Sequence, residues 1–87
     1  MELGSNIYVG HDYGIDTIEG NIEVHHGIYK ITRLVKTVFL DGSFYLDAVY
    51  NPADGYGETK RGISQAHNII ADELNVPIEI VERFRIA

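Results

Sequence analysis

Cysteine is absent from the 87 residues, which excludes a disulfide scaffold, a thiolate zinc site and a cysteine nucleophile together. No apolar run approaches the ~20 residues of a membrane-spanning helix, so no membrane segment is expected. The first residues also lack the basic-then-apolar layout of a signal peptide. With cysteine missing as well, a cytoplasmic location is expected. Cations are scarce: 7 Lys and Arg stand against 13 Asp and Glu, a formal charge of −6. Direct nucleic-acid binding, which needs cations to displace counterions, is therefore not expected. The shortage is sharpest at the start, where residues 1–29 hold Glu2, Asp12, Asp16, Glu19 and Glu23 but no Lys or Arg.

What remains is ordinary for a globular chain, with 45% hydrophobic and 23% charged residues. The length fits one domain over 1–87 with one small core. The clearest structural signal is Asp41-Gly42 between two apolar, β-branched runs. This dipeptide predicts a two-residue hairpin turn, which would set Phe39 against Phe44, Lys36 against Asp47 and Leu34 against Val49. In that register Leu34, Val38 and Tyr45 form a second apolar face behind Val35, Phe44 and Leu46. Short strands are expected at Asn6–Val9 and Asn21–His25, with Ile28–Leu40 as the long strand of the hairpin. Residues 51–57 read as a loop, because Pro52, Gly55 and Gly57 break regular structure.

From Thr59 to Leu74 the period changes: Ile63, Ala66/His67, Ile70 and Leu74 form one stripe of an amphipathic helix. Asn75 and Pro77 end it. The tail Ile78–Ile86 alternates and is expected to be a final strand. The sum is an α+β fold of about five antiparallel strands in the order β-β-β-β-α-β, with one helix on one face. One helix covers only one side of a sheet, so the second apolar face of the hairpin predicts a homo-oligomer, a dimer, or a protein partner.

No catalytic set emerges. His25 and His26 are adjacent and on a strand would point to opposite faces, and His11 and His67 lie far away in sequence, so no metal and no cofactor are expected. Ser5, Ser43 and Ser64 lack the setting of an activated nucleophile. The helix start is unusual. It carries Lys60 and Arg61 with Gly62 and Ser64, and Asp72 and Glu73 close the helix, the reverse of the order that suits the helix dipole. A small anion of nucleotide or acyl-CoA type would suit Lys60, Arg61, Gly62 and Ser64. The stretch Thr59–Ala66 resembles in outline the pyrophosphate loop of the N-acetyltransferases. It departs at Thr59, where Arg or Gln is usual, and at Ser64, which replaces a glycine.

Six tyrosines complete the inventory, of which Tyr13 and Tyr56, in Gly-rich loops, suit an interface. The reading that results is a small acidic binding or inhibitory protein working through protein–protein contacts. Asp12, Asp16, Glu19, Glu23, Tyr13, Tyr56, Leu34, Val38 and Tyr45 are its candidate contact residues. Virus-type inhibitors of host nucleic-acid-processing or defence enzymes fit this description by analogy. The alternatives are an oligomeric anion binder and a minimal His/carboxylate enzyme.

Overall fold

A computed structural model describes residues 6–50 and 54–84. Four antiparallel strands, β1 (Asn6–Asp12), β2 (Ile15–Val24), β3 (Gly27–Val38) and β4 (Phe44–Ala48), lie side by side in chain order. Helix α1 (Lys60–Leu74) and a short helix α2 (Ile78–Glu82) follow. Among the described residues the fold is thus α+β with four strands and two helices, not five strands and one helix. The expected last strand is where the difference lies. Its even-position alternation competes with a helical spacing, Ile78/Val81 and Ile80/Phe84, and Pro77 opens α2 at a φ of −61°. Val81 is buried and Ile78, Ile80 and Phe84 lean on the same core. Residues 85 and 86 of the expected strand lie outside the described residues.

Two of the three hairpins turn in two residues, and neither is at Asp41-Gly42. Tyr13 and Gly14, both at positive φ (45° and 80°), join β1 to β2 between the partners Asp12 and Ile15. His25 and His26 join β2 to β3 between Val24 and Gly27, with His26 at φ 68°. The two histidines therefore sit in a turn rather than on opposite faces of a strand, and their rings meet edge-on at 3.9 Å. The β3–β4 connection is a three-residue loop. Gly42 N–H donates to the Phe39 carbonyl and Phe39 N–H to the Ser43 carbonyl, with Gly42 at φ 90°. That is a turn followed by a left-handed glycine, the other common hairpin design. Asp41 closes it by accepting from the Ser43 hydroxyl at 2.6 Å and the Ser43 amide at 2.9 Å.

The extra loop residue moves every pairing by one. Val38 faces Phe44, Lys36 faces Leu46 and Leu34 faces Ala48, and a one-residue shift exchanges the faces that cross-strand neighbours share. Leu34, Phe44, Leu46 and Ala48 now share the helix-covered side, while Val35, Thr37, Tyr45 and Asp47 share the open side. The apolar back face expected from Leu34, Val38 and Tyr45 does not exist as such. Leu34 is fully buried beneath the helix layer, and Tyr45 points the opposite way. Nor does Phe39 pair with Phe44, or Lys36 with Asp47. A bulge contributes as well. Glu19 faces two residues of β3, Thr32 and Arg33, so the buried side of β3 changes from Tyr29 and Ile31 to Leu34 and Lys36.

The core lies between the sheet and the helices: Ile18, Ile22, Tyr29, Ile31 and Leu34 from the strands meet Ala66, Ile70 and Leu74 from α1. His67 is buried there, with its Nε2 3.4 Å from the Tyr29 hydroxyl. Thr59 caps α1 by accepting from the Gly62 amide at 3.0 Å, and its own hydroxyl donates to the His25 carbonyl. Asn75 ends α1 in the left-handed conformation, with Val76 N–H returning to the Ala71 carbonyl. No helix among the described residues is long and apolar enough to cross a membrane.

Candidate functional site

The two hairpin tips β1–β2 and β3–β4 lie at the same end of the sheet, tied by a 2.7 Å bond from the Val38 amide to the Gly14 carbonyl. Large apolar side chains gather there without cover. Tyr13 and Leu40 are fully exposed at the two tips, and Phe39 and Tyr45 are each more than half exposed. Ile15 sits beside Thr37, which in turn sits beside Tyr45, so one cross-strand row joins the tips on the open face. Val38 flanks the row on the helix side of the sheet. Asp12, Asp41 and Asp47 stand around these side chains, and Asp16 is held by His11, its Oδ1 2.6 Å from Nδ1. The combination of an exposed apolar centre and a polar rim of one sign is what protein-contact surfaces present.

Tyr13 sharpens this reading. A bulky residue at φ 45° is uncommon, because its Cβ crowds the following carbonyl, and Asn, Asp or Gly ordinarily fill such turns. The ring gains no burial in exchange. Strain held without a packing return is commonest where a side chain serves a site.

The remaining candidate residues are scattered. Glu19 stands next to the exposed Tyr8 on the open face, and Glu23 lies further along it. Tyr56 lies at the far end, where it exchanges two backbone bonds with Ile28 and walls a shallow groove of about 540 Å³ with Asn21, Lys30, Asp54 and Gly55. Leu34 is inaccessible. Sequence reasoning found Tyr13, Val38 and Tyr45 but missed Ile15, Phe39 and Leu40. Phe39 and Leu40 were legible as apolar residues flanking Asp41-Gly42, and the two-residue turn assigned there placed both in the ladder.

At the start of α1 the structure brings Thr59 and Arg61 to the His25–His26 turn. Desolvation chiefly, and then the charges of His26 and Arg61, hold the His25 imidazole below its usual pKa. Gly62 does not face an open site. It is packed on β2, where a Cβ would lie 2.7 Å from the Val24 Cβ and 2.9 Å from the His25 amide nitrogen. Ser64 is exposed on the outer side of the helix. Among the described residues no group of three His, Asp or Glu side chains could hold a metal ion. No protein-family model, curated protein or solved structure matches the chain.

Proposed function

We propose that this protein is a non-enzymatic binding protein that grips a protein partner with the paired hairpin tips. The observation that carries the reading is the side-by-side exposure of Tyr13 and Leu40, with Ile15, Phe39 and Tyr45 between and behind them. The carboxylates of Asp12, Asp41 and Asp47 around that centre favour a partner with an apolar patch rimmed by Lys or Arg. Inhibition of an enzyme with a basic channel is one use of such a surface. A homodimer belongs to the same reading, since a small sheet with one helical layer has surface left for a second copy.

The test compares wild type with a Tyr13→Asn/Leu40→Ser variant, each immobilised and exposed to extract from the native source. A protein retained by wild type, lost from the variant and released by raised salt supports the reading, provided that both forms melt alike. Equal retention by both forms overturns it.

A second reading keeps a small anion at the start of α1, favoured by the nearness of Arg61 to His25 and His26. Thermal shift with nucleotides and acyl-CoA tests it. A ligand at 100 times its Kd adds about 2.7 kcal/mol of stability, and no shift removes this reading.

A further inference from the structure

We infer that β1 is the pairing edge for a second copy of this chain, joined antiparallel about a two-fold axis at Val9. This deepens the dimer part of the reading above and leaves the hairpin tips free for a different protein.

The phase of the strand decides which backbone groups are available. A two-residue turn makes Asp12 and Ile15 a hydrogen-bonded pair, so Asn6, Tyr8, Gly10 and Asp12 direct their N–H and C=O groups at β2. By alternation, Ile7, Val9 and His11 direct theirs away from the sheet. β1 is first in the strand order and has a neighbour on one side only; among the described residues nothing pairs with its outer side. Edge strands are usually blunted by lysine, proline or a bulge. The sequence Asn-Ile-Tyr-Val-Gly-His-Asp has neither residue, and its pairing with β2 runs without a shift.

The register follows. Outward-facing residues hydrogen-bond only to outward-facing residues, and the alignment that uses all three sets Val9 against Val9 and Ile7 against His11 of the second copy. On the open face, Tyr8 then lies beside Gly10 of the second copy, an aromatic ring covering a bare glycine. Asp12 meets Asn6, so no like charges are opposed across the ladder. On the helix side, α1 packs chiefly on β2 with a smaller contact to β3. Ile7 and Val9 stay half-buried at the margin of the core. The same two side chains of a second copy complete that cover, and the two sheets become one of eight strands.

Sedimentation equilibrium up to roughly 1 mM protein should find a dimer. Added salt should tighten it, because each copy carries −6 and screening reduces their repulsion. Val9→Pro removes one outward N–H and leaves the bonds to β2 intact, a position where edge strands accept proline. It should weaken the dimer at least about tenfold, or 1.4 kcal/mol. His11→Pro does the same at an exposed side chain, in case the half-buried Val9 site does not tolerate the ring. In wild type, the Ile7, Val9 and His11 amides should be protected from hydrogen exchange and lose protection on dilution, whereas Tyr8 and Gly10 keep theirs.

A monomer across the whole range overturns the inference. So does wild-type dimerisation by a folded proline variant, or loss of the dimer in Tyr13→Asn/Leu40→Ser, which would place self-association at the hairpin tips. Loss of partner retention with the dimer intact would instead separate the two surfaces as described.

Discussion

Lys36 of β3 donates a 2.7 Å hydrogen bond to the Leu74 carbonyl at the end of α1, and a longer one of 3.3 Å to the Asn75 carbonyl. The side chain is only 7% exposed and its ammonium lies 5.1 Å from the centre of the Phe44 ring. Here is the cation that α1 lacks in its own last turn, where Asp72 and Glu73 stand. The reversed charge order of the helix is balanced at this end from the sheet, without a ligand. A helix C-terminus carries partial negative charge on carbonyls that have no partner within the helix, and a strand lysine beneath it satisfies two of them.

Lys36→Met keeps most of the volume and removes the donor. Leaving these carbonyls unpaired should lower stability by about 1–3 kcal/mol, read as a fall in the urea midpoint at unchanged slope. An unchanged midpoint would mean that water replaces the ammonium at no loss.

Gly62→Ala should destabilise, against helix propensity, which favours alanine by up to about 1 kcal/mol. The new methyl would collide with Val24 and the His25 backbone, and forcing α1 away from β2 should give a net loss of about 1–3 kcal/mol. Thermal melting decides the sign.

Tyr13→Asn should raise stability by about 1 kcal/mol, because asparagine tolerates the left-handed conformation that the tyrosine is held in. The same change should weaken partner binding. A variant that is more stable and binds as well as wild type would show that the ring has no role at the tips.

The ring of His25 should titrate below 6.5, the value of a free histidine, and Arg61→Gln should move its midpoint upward. Because the folded chain resists this proton, the unfolded chain binds more protons between the folded value and 6.5. Stability should therefore decline as pH falls through that window and be unaffected by this group above it. Proton NMR of the imidazole follows the midpoint directly, and one at or above 6.5 would refute the desolvation.

Much of the architecture was legible because local signals agreed with the global outcome. The stripe Ile63, Ala66/His67, Ile70, Leu74 and the stop at Asn75 lie in α1 as expected, because a 3.6-residue period and a left-handed cap are written in neighbouring residues. The hairpin was legible as a hairpin and misread in register. Asp-Gly fits two turn designs that differ by one residue, and only the ladder of β3 and β4 chooses between them. Ile78–Glu82 was misread because five residues are too few to separate a strand period from a helix period, and the choice fell to packing against the α1 core.

The order of the first four strands and α1, the limits of α1, acidity and the absence of thiol chemistry follow from the residues alone, since each depends on near neighbours or on composition. Three-dimensional folding decided which face each strand residue occupies, that Lys36 lies under the helix end, and that Tyr13 and Leu40 stand together. Those outcomes turn on a loop longer by one residue and a bulge opposite Glu19, and a shift of one position in a two-residue period moves a side chain from solvent to core.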